Sequence, residues 1–150
     1  MNDYIKGILR RSSTLLISLF FFTVVSAQDL LIFGGKGHDD FLGCLSCSGY
    51  SSDSICNGYG KYGNKYNPSG MWNPYGGFGN KYSSKSPWNK YSNSNSVPVV
   101  VDREGNFYGY FTINQYRSKA FKHARVLREI FEEADGDLEV VRKSFCELLH

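Results

Sequence analysis

A 16-residue phrase, written two and a half times, constrains this chain more than any other feature. Residues 54–69 (SICNGYGKYGNKYNPS) and 70–85 (GMWNPYGGFGNKYSSK) agree at seven positions. These are Asn57/Asn73, Tyr59/Tyr75, Gly60/Gly76, Gly63/Gly79, Asn64/Asn80, Lys65/Lys81 and Tyr66/Tyr82. Tyr62/Phe78 keeps the ring. A third copy from Ser86 keeps Trp88, Asn89 and Tyr91, then dissolves into SNSNS. Three glycines and Pro74 exclude a helix, at about 1 kcal/mol for each glycine and about 3 for an internal proline. The rings at 72, 75, 78 and 82 also lack the strict alternation of one flat strand. Short extended pieces joined by glycine turns remain. Such units stack solenoid-like, with equivalent residues about 4.8 Å apart. Asn57 is then expected over Asn73 and Asn89, and Tyr59 over Tyr75 and Tyr91. A fixed period argues against a disordered Gly/Tyr/Ser/Asn tract, because disorder needs no register. Cys56 stands where the other copies have Trp72 and Trp88, which marks an inward-facing position, since both residue types are commonly buried. Repeat arrays usually need three or more units, so the flanking zones must act as caps.

The upstream flank begins with a leader. Lys6, Arg10 and Arg11 precede an uncharged run that ends in Val25-Ser26-Ala27. This is the pattern of a secretory signal peptide over residues 1–27, cleaved after Ala27. Its strongly apolar part, residues 15–25, is 11 residues long, whereas a spanning helix needs about 20. No stable membrane span is expected after cleavage, and the protein is expected outside the cytoplasm. Lys6, Arg10, Arg11 and Asp3 leave with the leader, so 14 basic and 13 acidic groups remain. A near-neutral chain gives no argument for a nucleic-acid partner. Lys61, Lys65, Lys81, Lys85 and Lys90 nevertheless fall within residues 54–92 with no acid among them.

Residues 28–53 form a cysteine-containing cap. Export favours disulfides, and Cys44, Cys47, Cys56 and Cys146 allow three pairings. The expectation is one local bridge, Cys56 with Cys44 or Cys47. The remaining cysteine then pairs with Cys146 and staples the two ends together. In the cap, the apolar run at residues 30–33 followed by Gly34-Gly35 suits a buried strand and a turn.

Residues 97–150 read as a β-hairpin and two helices. The runs VPVVV (97–101) and FYGYFTI (107–113) flank the glycine-containing link DREGN. Phe121, Ala124, Leu127, Phe131 and Ala134 then fall on one helical face, with Ser118 as N-cap. Asp135-Gly136-Asp137 stops that helix and starts another, striped by Leu138, Val141, Phe145 and Leu148. The short link makes the helices antiparallel neighbours. The whole is an α+β fold of stacked β/turn repeats, a hairpin and a C-terminal helix pair, with residues 28–150 as one domain.

Chemistry is sparse. His38, Cys44, Cys47 and Cys56 carry the soft thiolates and imidazole that suit zinc, but their spacing matches no standard finger and export favours oxidation. CLSC resembles a redox motif, yet such a motif normally opens a helix in a βαβ pattern, and Ser, Gly and Tyr follow here. A Cys44–His38 nucleophile pair lacks an assignable orienting group. Asp135-Gly136-Asp137 lacks the twelve-residue calcium pattern. No cofactor is implied. The repeat is the better candidate: Tyr59, Trp72, Tyr75, Trp88 and Tyr91 at fixed intervals can stack on sugar rings or grip peptide, and Lys65 and Lys81 can meet anionic polymers. The plainer reading is that the rings only pack on each other.

The ordered series LLIFGGKGHDDFLGCLSC, SDSICNGYGKYG, SPWNKYS and VPVVVDREGNFYGYFTIN resembles a family of small exported bacterial proteins. They share a cysteine-containing start, tandem Ser/Trp-Asn/Tyr-Gly repeats and this hairpin. The resemblance covers roughly residues 31 to 114. It implies export and a common fold, and it carries over no catalytic residue. The preferred expectation is an exported non-catalytic protein whose partner is a cell-envelope polymer or another exported protein. A small exported enzyme or metal/thiol protein using His38, Cys44 and Cys47 is the first alternative. A surface protein that self-associates through its repeat edges is the second.

Overall fold

The computed structural model describes residues 28–149, and the expected leader at residues 1–27 lies outside them. The apolar run after Asp29 forms β1 (Leu31–Gly34), ended by a turn in which Gly35 (φ 85°) and His38 (φ 52°) are left-handed. Beyond the turn lies β2 (Asp40–Cys44), a strand where the sequence suggested only a cap. The expected hairpin is present as β3 (Val99–Val101) and β4 (Phe107–Tyr110). All pairings are antiparallel, in the order β2-β1-β3-β4. Alternation turns Ile32, Leu42 and Val100 into the core. Asp102 is the buried pin of the β3–β4 link. Its Oδ1 accepts the backbone N–H of Glu104 at 3.0 Å and of Asn106 at 2.9 Å.

Two helices follow, α1 (Ala124–Glu133) and α2 (Leu138–Leu149). The N-cap position of α1 is His123, which makes no side-chain capping bond, and not Ser118 as expected. The cause is β4: Tyr110 N–H donates to the Lys119 carbonyl, and the Tyr110 carbonyl accepts from the Phe121 N–H, both at 2.8 Å. Residues 119–121 are therefore committed to the sheet edge, with Lys119 at φ 56°. Phe121 still enters the core. The second helix starts as expected after Gly136 at φ 77°, with Asp137 Oδ1 accepting from Glu139 N at 3.0 Å, the usual work of an aspartate cap. Its stripe ends early, because Leu138, Val141 and Phe145 are buried and Leu148 is 66% exposed.

Residues 55–92 contain no strand, and residue 54 contributes only an isolated parallel bridge to Cys44. The expected extended pieces are replaced by consecutive turns, and equivalent turns recur in successive copies. Ser54, Gly70 and Ser86 each donate to the carbonyl three residues back, on Ser51, Asn67 and Ser83. Gly60, Gly76 and Ser92 do the same to Asn57, Asn73 and Asn89. Asn57, Asn73 and Asn89 do not pair with one another. Each Oδ1 instead accepts the N–H of the tyrosine two residues on, at 3.0 Å in every copy. This is the Asx turn, in which a side chain replaces a backbone acceptor. Chain segments run so close at equivalent glycines that no side chain fits. A Cβ on Gly63 would sit 2.1 Å from the Asn57 carbonyl oxygen, and one on Gly79 would sit 1.8 Å from that of Asn73.

The cysteines pair as Cys44–Cys47 and Cys56–Cys146. The expected bridge from Cys56 to the cap is thus corrected. Cys44 and Cys47 flank the turn that ends β2 and reach each other, leaving Cys56 for α2. The long bridge spans a sequence separation of 90. Closing a loop of that size stabilises by about 4.6 kcal/mol in the chain-entropy account. One core joins sheet, turns and helices. Trp72 and Trp88 lie 5.1 Å apart between ring centroids, Trp88 stacks on Phe131 at 5.8 Å, and Trp88 Nε1 donates to the Met71 carbonyl at 2.6 Å.

The close approaches give a direct test. Gly79→Ala is expected to lose about 3 kcal/mol or more in urea unfolding, as backbone must move. Gly49→Ala, with nothing within 4 Å of the added carbon, is expected to stay within about 0.5 kcal/mol.

Candidate functional site: a tyrosine-rimmed groove

The turn chemistry decides where the aromatic rings go. Outside the β3–β4 hairpin, six Asn-x-Tyr triplets occur in the described residues, at Asn57, Asn64, Asn73, Asn80, Asn89 and Asn114. In all six the tyrosine N–H donates to the asparagine Oδ1. In the hairpin, Asn106 precedes Tyr108 at the same spacing, but its side chain donates to Asp102 Oδ2 at 2.8 Å instead. Closing the turn on asparagine throws the ring outward. Tyr59 and Tyr75 are almost fully exposed, and Tyr66, Tyr82, Tyr91 and Tyr116 are 75% or more exposed. Nothing in the core needs these rings, although phenol rings carry large apolar area that is usually hidden.

The tyrosines rim three hollows along the seam between the turns and the helices. The first, about 260 Å³, lies between Tyr59, Lys65 and Tyr66 on one side and Glu139 and Arg142 on the other. The second, about 310 Å³, has Tyr75, Lys81 and Tyr82 facing Phe131 and Leu138. The two hollows use equivalent residues of successive copies. The third and largest, about 560 Å³, runs from Lys81 and Tyr82 past Lys90 and Tyr91, over Trp88 and Phe131, to Glu132 and Asp135. Lys81, Tyr82, Phe131 and Gly136 line both the second and the third.

Charge is arranged across this groove. Each lysine ammonium rides beside the next tyrosine. Lys65 Nζ is 5.3 Å from the Tyr66 ring centre, Lys81 Nζ is 5.5 Å from that of Tyr82, and Lys90 Nζ is 5.3 Å from that of Tyr91. A cation at this range is attracted by the ring quadrupole. Lys65 also pairs with Glu139, which Lys143 approaches at 3.4 Å. The hydrogen bond from Lys65, then that from Lys143, holds the Glu139 carboxyl below the usual carboxylate range, and Glu139 in turn raises Lys65. Arg142 Nη1 donates to the Cys56 carbonyl at 2.8 Å, so it is a tie between α2 and the first copy.

The sequence candidates therefore separate. Tyr59, Tyr75, Tyr91, Lys65 and Lys81 come together on the groove. Trp72 and Trp88, expected with them as ligand contacts, are 0% and 1% exposed. They are core residues, and Trp88 reaches the groove only as its floor. The groove members that sequence reasoning missed are Tyr66, Tyr82, Lys90, Phe131 and the acids Glu132, Asp135 and Glu139. The repeated Asn-x-Tyr spacing could have pointed to Tyr66 and Tyr82. Nothing local pointed to the helix residues.

The cysteine cluster does not assemble as a ligand set. Every described cysteine is in a disulfide, so no thiolate is free for zinc or for nucleophilic attack. Cys44 ends a strand rather than opening a helix. His38 Nε2 lies 3.1 Å from the Val97 carbonyl oxygen, and Asp29 is the carboxylate close to the Cys44 and Cys47 sulfurs. No helix among the described residues is long and apolar enough to cross a membrane. No protein-family model, curated protein or solved structure matches this chain.

Core and rim should separate in stability. Tyr75→Ala is expected to change unfolding free energy by no more than about 0.5 kcal/mol. Trp72→Ala is expected to cost about 3–5 kcal/mol. Urea titration of the two variants makes the comparison.

Proposed function

We propose that this chain is an exported, non-catalytic protein that binds an extended polymer of the cell envelope or extracellular surroundings along the tyrosine-rimmed groove. One observation carries the reading: the first two hollows are built from equivalent residues of successive copies, and the third shares a wall with the second. A site that repeats along a groove suits a ligand that itself repeats. Aromatic rims suit stacking on the apolar faces of sugar or side-chain rings. Two disulfides support an oxidising compartment. With all described thiols oxidised, the zinc and cysteine-nucleophile forms of the alternative lack a free thiolate.

Self-association has its own supporting observation. The sheet face opposite the core carries Leu31, Val101 and Phe107 in one cross-strand row, and Phe107 is 49% exposed. Phe41, the β2 neighbour of Phe33 on that face, packs on Tyr62 of the first copy at 4.8 Å.

Co-sedimentation of residues 28–150 with insoluble peptidoglycan and polysaccharides tests the proposal. The Tyr75→Ala/Tyr82→Ala/Tyr91→Ala variant, checked for folding by near-ultraviolet circular dichroism, is expected to lose about tenfold or more in affinity, the equivalent of about 1.4 kcal/mol. Equal retention of both proteins would contradict it. Concentration-dependent assembly without polymer binding would favour the sheet-face reading.

A further inference from the structure

Resting on the groove reading above, we infer that its ligand is an uncharged, polyhydroxylated chain, a neutral linear polysaccharide, and not the polyanion that the lysines of residues 54–92 suggest. The turns supply one wall of the groove and α1 and α2 supply the other. Lys65, Lys81 and Lys90 stand on the first wall, and Glu132, Asp135 and Glu139 on the second. Three of the five lysines of residues 54–92 thus face three acids distant in sequence, while Arg142, the cation of the helix wall, is tied to the Cys56 carbonyl.

The first pair is closed, Lys65 on Glu139. In the largest hollow, Lys81 and Lys90 share a cavity with Glu132 and Asp135. A polyanion threaded here would run beside two carboxylates that offset the two lysines, and like-charge contact of this kind is costly in recognition. A sugar hydroxyl is both donor and acceptor. It can donate to a carboxylate on one wall while accepting from an ammonium on the other. Between the walls, Tyr82 and Tyr91 present exposed rings above a floor of Trp88 and Phe131, which suits the apolar face of a pyranose ring. The site therefore offers all three kinds of contact that a neutral glycan uses and penalises net charge.

The test is retention of residues 28–150 on immobilised cellulose, chitin, xylan and β-1,3-glucan, against alginate, polygalacturonate and a polyproline peptide. At least one neutral glycan is expected to bind, with affinity changing less than about twofold between about 0.05 and 0.5 M salt, because an uncharged ligand gives salt no ion–ion attraction to screen. Glu132→Gln/Asp135→Asn is expected to weaken that binding several-fold and to increase retention on alginate. Preferential, salt-sensitive binding of the wild type to alginate or polygalacturonate would overturn the neutral-ligand inference while leaving the groove reading intact. Preferential binding of polyproline would overturn it in favour of a peptide ligand. Failure to bind any polymer would remove both.

Discussion

Residues 54–92 depend on asparagine and serine side chains standing in for backbone partners. A segment with neither helix nor strand must still satisfy its N–H and C=O groups. Here Asn Oδ1 and Ser Oγ accept the N–H two residues on, as Ser54 does from Cys56 and Ser86 from Trp88, both at 3.1 Å. Each such bond is worth only about 1 kcal/mol net. Their regular spacing nevertheless sets which residues face in and which face out. The Cys56/Trp72/Trp88 position is driven to the core and the Asn-x-Tyr rings to solvent. The glycines are fixed by the same geometry, since packing one turn on another leaves no room for a Cβ at Gly63 or Gly79.

Short turns alone bury too little to be stable, so the rest of the fold braces them. The four-stranded sheet contributes Ile32, Leu42 and Val100, and the helices contribute Leu127, Leu138, Val141 and Phe145, to one core with Met71, Trp72 and Trp88. Helix α2 is tied to the first copy three times: by the Cys56–Cys146 bridge, by Arg142 on the Cys56 carbonyl, and by Lys65 on Glu139. That bracing creates the groove. Its two walls are the repeat and the helix pair, and neither alone encloses it.

Much of the fold was legible because local patterns carried it. The apolar runs pointed to β1 and the β3–β4 hairpin, and Asp137 after Gly136 marked the start of α2. The cysteine substituting for tryptophan marked the inward position. What local reading missed depended on distant contacts. DFLGC is too short to declare itself a strand without β1 beside it. Ser118 lost its capping role because β4 recruits residues 119–121. The disulfide pairing followed from where β2 ends, which spacing does not reveal. For the groove, Tyr59 and Tyr75 could be picked from the repeat, but Trp72 and Trp88 shared their periodicity and lie on the opposite side of the turn. The acidic wall was hidden entirely, since Glu132, Asp135 and Glu139 meet the lysines only after α1 and α2 have packed.

Groove and core alike rest on ordered, side-chain-closed turns in a segment whose composition resembles a flexible tract. Amide hydrogen exchange at Tyr59, Tyr66, Tyr75, Tyr82 and Tyr91 measures this most directly. Their rings are exposed, and each N–H is held by an asparagine Oδ1, so that bond is what slows it. Ordered turns should exchange about tenfold or more slower than an unfolded chain, to a similar extent at Tyr59, Tyr75 and Tyr91. Exchange at the unfolded rate across these tyrosines would contradict an ordered repeat.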